Sequence, residues 1–565
     1  MKRLIQNDAC VTFLILLAYL CTNSYIYGWD DQHLEIPLLK HLIDPVLYKG
    51  DYYVEGLAKN FSSYLYPILA KIIRLNQIPA AYLILFLLSR YAMFYWVYKL
   101  WQWIAGNKWQ AFLATVMFFL LGRTEEFLYR TFSHQEFSYI FMFPGLYYFY
   151  RERFILAAFL FGVGANFNAI YNLYPMLYLL GFLLVFRRDR WPMIFKTGFT
   201  FTAAALPFLL WQIPRMIERK MTSAPVTVSD WMPLYLISCQ QNFLFWTYTL
   251  KEALKGIPFI FSRLEPYLFL LVLYGLLCVK SEQFRRDSKM HAIMGVSYLL
   301  ILVSFFFSYI HPNRTMIDLN LLRTEQFVRF FLMGYMTIIA SRYIQQTDVP
   351  WKVLLAGILF CLVGFGEIDF LWLRIQKYAL VFILFAVLFI WFSLKPQAKY
   401  WSWLKQVFIV APLLASFIHF SIYHYDYLKA KAHGTGFWQL NRNWVDMQNY
   451  VRRSTPKDAL ILTPHDTETG GFRIFSERKV LVCYRDCGVV GFDYNAAVEW
   501  HKRIQDIEEF RVYAHGDISR ALFNAIVKYK VDYIVFMNYY QPKTENPVLR
   551  KLYQNEVFAL YKVVH

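Results

Sequence analysis

The sequence predicts a polytopic α-helical membrane protein of about 13 spans that carries a soluble α/β domain at its C-terminus. Three observations predict it. Of 565 residues, 58% are hydrophobic, 20% aromatic and only 17% charged, where a soluble chain carries about a quarter charged. Residues 8–425 read as a series of apolar runs, whereas 426–565 has the make-up of an ordinary soluble fold. Finally, the net charge of +19 is concentrated in short loops such as Arg187-Arg188-Asp189-Arg190 and Arg285-Arg286-Asp287-Ser288-Lys289. Excess Lys and Arg in short loops marks cytoplasmic loops, so the charge is not read as a nucleic-acid footprint.

A crossing helix needs about 20 apolar residues. The expected spans are 9–27, 79–100, 107–124, 135–151, 153–170, 171–187, 194–214, 265–281, 290–309, 324–342, 352–367, 376–394 and 403–424. Residues 62–76 are apolar but hold Pro67, Lys71 and Arg74. A central Lys or Arg costs about 2.5–3.5 kcal/mol on insertion scales, so this segment is expected on the membrane surface. The first run follows Met1-Lys2-Arg3 without a small-residue cleavage site, and is read as an uncleaved span entering from the cytoplasm. With that start, the loops at 99–108, 151–153, 187–190, 280–289, 342–352 and 395–405 face the cytoplasm, and all are basic or lean basic. The acidic first loop (28–77), the Glu125-Glu126 segment, the loop 215–264 and the C-terminal domain then face outward, with Arg374 and Lys377 as the dissent.

In residues 426–565, Ala459–Thr463, Val480–Cys483, Tyr533–Phe536 and Phe558–Val563 alternate or run apolar over strand lengths, and Ile518–Tyr529 reads as a helix. The expectation is a small α/β domain. The seven cysteines form no disulfide framework, although Cys483 and Cys487 are spaced for a local bridge in an oxidising compartment.

The segment after the first span concentrates chemistry: Gly28-Trp29-Asp30-Asp31-Gln32-His33-Leu34-Glu35-Ile36-Pro37, then Asp44-Pro45 and Gly50-Asp51. Carboxylates at the mouth of a bundle act as a general base or hold a divalent metal; the plainer alternative is a solvated loop of turn and cap residues. In the next outer loop Glu125, Glu126, His134 and Glu136 are candidate metal ligands, or they solvate a helix end. Ionisable groups in spans are costly. Arg90 is one, and Arg314, Arg323 and Arg329 cluster at a later helix entry, where guanidinium forks suit a phosphate. Glu325 and Arg329 also have the spacing of a helical ion pair. Asn166, Asn168 and Asn172, beside Tyr171 and Tyr174, suit a sugar or a helix cap, and Asp51 is a further candidate acceptor contact. No Walker loop, dinucleotide fingerprint, zinc spacing or Ser-His-Asp elbow is present.

The layout resembles the GT-C superfamily of membrane glycosyltransferases, whose mark is an acidic residue or pair in the first outer loop, where Asp30 and Asp31 stand. A second acidic site in the next outer loop would correspond to Glu125, Glu126 and Glu136. More narrowly, a bacterial subgroup is resembled through the Asp30 loop to Pro37, Asp44-Pro45, Gly50-Asp51, Thr455-Pro456-Lys457-Asp458-Ala459, Thr463-Pro464, Phe472-Arg473, Ser476-Glu477-Arg478, Glu499-Trp500 and Arg503. Cys483 and Cys487 depart from that pattern, and there is no sequon-reading motif of oligosaccharyltransferases. The resemblance implies sugar transfer from a polyprenyl-phosphate or pyrophosphate carrier to an outer glycan, lipid or protein acceptor. It implies Asp30 or Asp31 as base, Arg90, Arg314, Arg323 or Arg329 on the donor phosphate, and a divalent metal (Mg or Mn) as the possible cofactor. The expected setting is a bacterial inner membrane, with the N-terminus cytoplasmic and residues 426–565 periplasmic. A lipid-linked glycan transporter or flippase, or an inactive scaffold of the same fold, is the alternative.

Overall fold

The computed structural model describes residues 7–120, 127–222, 227–245, 257–347, 398–433, 435, 437–467, 471–491, 493–513, 516–542 and 547–564. Among the described residues the chain is mainly helical up to residue 454, and a small sheet region comes after it. The helices used below are α1 (Asp8–Thr22), α2 (Gln32–Ile43), α3 (Tyr52–Asn60), α4 (Leu65–Ile72), α5 (Ile78–Ala105), α6 (Lys108–Leu120), α7 (His134–Tyr150), α8 (Phe154–Ala165), α9 (Ala169–Phe186), α10 (Trp191–Ala204) and α11 (Leu206–Thr222). They continue as α12 (Val228–Ser238), α13 (Ile257–Lys280), α14 (Ser288–Phe305), α15 (Thr324–Gln346), α16 (Ala398–His433), α17 (Phe437–Ser454) and α18 (Tyr494–Asp506).

The expectation of thirteen spans is corrected. Among the described residues four helices are long and apolar enough to cross a membrane: Leu75–Ala105, Ala169–Phe186, Ser288–Ile310 and Arg314–Gln346. A fifth is gained if the pair Arg188–Ala204 and Leu206–Arg215, bent by 71°, is one span. For two of the expected spans the physical reason is length: α1 and α8 are apolar but only 15 and 12 residues long, shorter than a hydrocarbon core of about 30 Å requires. The runs expected at 352–367 and 376–394 lie outside the described residues. The segment expected on the membrane surface forms α4, which buries Leu65, Tyr66 and Leu69 while Ile68 and Ile72 stay exposed.

The basic loops gather at one end of the bundle. Asp8 at the start of α1 pairs with Lys99 and Lys108, both at 2.8 Å. Glu152 pairs with Arg187 at 2.8 Å and Lys289 at 3.2 Å. Arg342 donates to the Ala105 carbonyl, Trp103 to that of Tyr150, and Gln283 to that of Ile104. Loops far apart in sequence are thereby tied into one polar rim.

After α17 the chain forms a five-stranded sheet of order β2-β1-β3-β5-β4, with β1 (Leu460–Leu462), β2 (Lys479–Val480), β3 (Tyr533–Met537), β4 (Leu549–Gln554) and β5 (Phe558–Val563). β1 pairs in parallel with β2 and β3; β5 pairs antiparallel with β3 and β4. β3 alternates its faces: Tyr533, Val535 and Met537 join Trp444, Met447 and Val451 of α17, while Ile534 and Phe536 belong to the other face, with Phe536 5.6 Å from the Phe510 ring. β4, not expected from the sequence, is an edge strand with exposed Arg550 and Lys551. Charge on an edge discourages pairing with other chains, and it also hides the strand's alternation. The expected junction at 425/426 lies inside α16.

Candidate functional site

The chain leaves α1 and turns sharply at Gly28, whose φ of 83° suits glycine. A Cβ there would also stand 3.3 Å from the Phe475 ring. Asp30 follows with φ 48°, a left-handed conformation uncommon outside glycine, asparagine and aspartate. The Gln32 amide fixes the turn, accepting from Gly28 N at 2.6 Å and donating to Phe132 O at 2.9 Å. Ile26 N also donates to Arg130 O at 2.9 Å. The first outer loop is thus clamped to the segment before α7.

The turn separates the two aspartates. Asp30 is half-buried, and burial raises its carboxyl pKa while the charges of Arg485 and Arg130 oppose the rise. Around it stands an aromatic wall. Trp29 packs on Phe437 and Trp438, with ring centroids 5.4 and 6.0 Å away; Arg130 stacks on Tyr427 at 5.2 Å and Lys431 on Trp438 at 5.1 Å. A carboxylate and aromatic faces are thus set together within reach of the charges of Arg130 and Arg485. Neither arginine stands out in the sequence. Arg485 sits in an unremarkable polar string, and Arg130, between Tyr129 and Thr131, reads as the helical ion-pair partner of Glu126 four residues before it.

Asp31 opens α2 and belongs to a second, acidic group. Its charge acts on Glu35, one helical turn on, and on His134 and Glu136 of α7. Glu35 Oε1 and His134 Nδ1 share a hydrogen at 2.6 Å. Glu136 accepts from Ser133 and lies 3.7 Å from Arg90. Arg90 donates to the carbonyls of Phe127 and Tyr129 and lies over the Phe86 ring at 5.3 Å. Its guanidinium is therefore committed to holding residues 127–136. Arg323 is near enough for its charge to reach His134.

Glu35 is fully buried, and its Oε2 has no hydrogen-bond partner among the described residues. Burial, then the Asp31 charge, lifts its pKa well above the usual carboxylate range. The unfolded chain releases this proton near pH 4.3, so folding takes up a proton above that pH. The stabilisation is complete below the unfolded pKa and is lost as pH rises through the folded one. Glu35→Gln is therefore expected to raise the melting temperature in detergent at pH 8, by a few degrees for about 1–3 kcal/mol. The gain is expected to vanish near pH 4; an unchanged pH slope would refute it.

The other candidates are spread over the fold. Arg314 stacks on Tyr494 at 4.3 Å and lies over Tyr235 at 5.8 Å, while Arg329 pairs with Glu325 at 2.7 Å, the helical pairing that their spacing allows. The asparagines serve the backbone. Asn168 caps α9 by accepting from Tyr171 N at 3.2 Å, and Asn172 donates to Asn168 O at 2.9 Å. Asn166 bridges the break between α10 and α11, donating to Ala204 O at 2.9 Å and accepting from Phe208 N at 3.0 Å. Backbone groups freed by a broken apolar helix need such partners. Asn166→Ala is expected to lower stability by about 1–3 kcal/mol, read as reduced melting temperature, and Asn166→Asp is expected to be no milder, since a carboxylate would face the carbonyls of Gly162, Val163 and Ala204.

Glu125 and Glu126 lie outside the described residues. Among the described residues no group of three His, Cys, Asp or Glu side chains is arranged to hold a metal ion, so the residues on view do not by themselves make a metal site.

Asp51 is not an open contact. It is 2% exposed and N-caps α3 through Tyr53 N and Val54 N, at 3.1 and 3.2 Å. Its carboxylate also takes Arg473 Nε at 2.8 Å, and Arg473 Nη1 reaches Asp486 Oδ1 at 2.8 Å. Tyr52 OH donates to Asp486 at 3.2 Å, and Arg473 lies over the Tyr53 ring at 5.0 Å. Beside this triad Lys40 pairs with Glu477 at 2.7 Å and donates to Ile474 O, Tyr48 donates to Arg473 O, and Asn60 donates to Asp493. Arg503 stacks on Tyr52 at 4.2 Å. The short C-terminal motifs thus converge on one surface, the one that grips the first outer loop. A pocket of only about 20 Å³ lies there between His33, Thr463, Thr467, Arg473 and Asp486, room for roughly one water molecule and not for a sugar. Cys483 and Cys487 are free thiols.

Residues 442–507 match a family profile described as a domain of unknown function, DUF6798. This stretch includes Arg473, Glu477, Asp486 and Arg503 of the gripping surface. No curated protein matches the chain.

Proposed function

We propose that the chain is an inverting, lipid-carrier-dependent glycosyltransferase of the GT-C kind in a bacterial inner membrane. The basic rim would face the cytoplasm, with the Asp30 turn and the C-terminal domain on the periplasmic side. The observation that carries the reading is the Asp30 mouth: a half-buried carboxylate in a left-handed turn, flanked by the charges of Arg130 and Arg485 and walled by Trp29, Tyr427 and Trp438. Asp30 takes the acceptor hydroxyl proton as that oxygen bonds to the anomeric carbon. The bond from that carbon to the carrier phosphate breaks, the electron pair leaves on phosphate, and the anomeric configuration inverts. Arg130 and Arg485 stabilise the charge that develops on the leaving phosphate, and the aromatic faces suit a sugar ring. A divalent metal remains part of the family expectation.

The test is transfer from a panel of labelled polyprenyl-phosphate and polyprenyl-pyrophosphate sugars by purified wild type and Asp30→Asn. Transfer by wild type alone supports the assignment; undiminished transfer by the variant sinks it. One observation favours the transport reading: the pair Arg188–Ala204 and Leu206–Arg215, bent by 71°, is the kind of broken helix that transporters place at substrate sites. Wild type that transfers nothing, yet moves a labelled lipid-linked glycan across vesicles, would select that alternative. Activity in neither assay would favour a scaffold.

A further inference from the structure

We infer that the Asp51–Arg473–Asp486 triad is a positioning device that sets Arg485 of the C-terminal domain against Asp30 of the first outer loop. The inference rests on the reading of Asp30 as the base. Arg485 and Asp486 are adjacent in the 3-10 helix Tyr484–Gly491. Asp486 is 3% exposed and receives Arg473 Nη1 at 2.8 Å, Arg473 Nη2 at 3.1 Å, Tyr52 OH at 3.2 Å and its own Cys483 N at 3.1 Å. That carboxylate fixes the start of the helix in place and orientation.

The fixed point is referred to the first loop twice. Tyr52 belongs to α3, and Arg473 is held by Asp51, the N-cap of the same helix, through Nε at 2.8 Å and Nη2 at 3.3 Å. Asp51 also accepts from Val480 N at 3.2 Å, so β2 is referenced to the same carboxylate. The same 3-10 helix lies against the first outer loop, where a Cβ at Gly488 would stand 3.8 Å from the Leu34 side chain. Arg485 is exposed, and its charge acts on Asp30 and His33. Two neighbouring residues therefore divide the work, Asp486 anchored in the buried triad and Arg485 exposed, with its charge within reach of Asp30. A guanidinium on a flexible stem contributes fully only when its backbone is held, because side-chain ordering opposes each contact.

The test uses the full-length protein in detergent or nanodiscs and the donor that wild type accepts. Arg485→Gln is expected to lower kcat/KM about 10–100-fold, the range for one charge-assisted hydrogen bond, and to move the acid limb of the kcat profile to higher pH, because a positive charge beside Asp30 is lost. Asp486→Asn is expected to reproduce both effects, and to add little in the Arg485→Gln background, since both changes act through one group. Tyr52→Phe, which removes one hydroxyl and keeps the ring under Arg503, is expected to show a smaller shift of the same sign. It also serves if Asp486→Asn does not fold. If Asp486→Asn or Tyr52→Phe lowers activity additively with Arg485→Gln and leaves the acid limb unmoved, the triad is merely structural and the inference is overturned. Failure of the underlying reading is distinguishable, because Asp30→Asn would then retain transfer.

Discussion

Asp30→Asn is expected to lower transfer by about 10²–10⁴-fold, the contribution of a positioned general base, while the protein melts close to wild type. The second half matters as much as the first. Asp30 has φ 48°, and asparagine tolerates this region as aspartate does, so the variant keeps the turn and loses only the charge. Asp30→Ala would combine loss of the base with backbone strain of about 1–2 kcal/mol, and its inactivity would decide nothing. The pH dependence gives an independent check. Burial raises the Asp30 carboxyl above its ordinary value, and the base works only when ionised. Wild-type kcat is therefore expected to fall as pH drops through an apparent pKa above the usual aspartate value. A wild-type profile flat down to pH 4 would exclude Asp30 as the titrating group, as would an Asn variant that transfers normally.

Arg473→Met is expected to be the most destabilising single change outside the apolar core. Arg473 is 5% exposed and stands between Asp51 at 2% and Asp486 at 3%. Its removal leaves two carboxylates facing each other in a buried interface. Breaking a buried pair by deleting one partner costs about 3–5 kcal/mol, whereas replacing all members together is far milder. The triple variant Asp51→Asn/Arg473→Met/Asp486→Asn is thus expected to recover a large part of the loss in thermal unfolding. The single variant is expected to regain stability as pH falls, because its stranded carboxylates are neutralised by protonation. Limited proteolysis should show the C-terminal domain released from the first outer loop in Arg473→Met and held in the triple variant. Equal stability of single variant and wild type would show that the triad does not hold the domain.

The apolar runs were legible because composition and length are local properties, but the number of spans was not. α1 is 15 residues and α8 is 12, and whether such a run crosses, dips or packs depends on its neighbours. Four of the five strands were legible from alternation ended by Pro464 or by polar turns; β4 was hidden because its edge position places Arg550 and Lys551 within it. Asp30 was visible as an acid after the first apolar run, yet its separation from Asp31 was not, since it arises from a left-handed turn clamped by Gln32. The asparagines at 166, 168 and 172 read equally as sugar contacts or as caps, because a capping amide and a binding amide have the same composition; in the structure their side chains hold backbone groups.

By itself the sequence determined that the chain is largely helical and apolar, that a small sheet region follows toward the C-terminus, and that acids cluster after the first apolar run. These depend on hydrophobic transfer and backbone periodicity, which act over a few residues. Only the tertiary structure decided which charges meet. Arg473 and Arg485 lie far along the chain from Asp51 and Asp30, and electrostatic interactions depend on distance in space and on burial, neither of which is written in the spacing of residues.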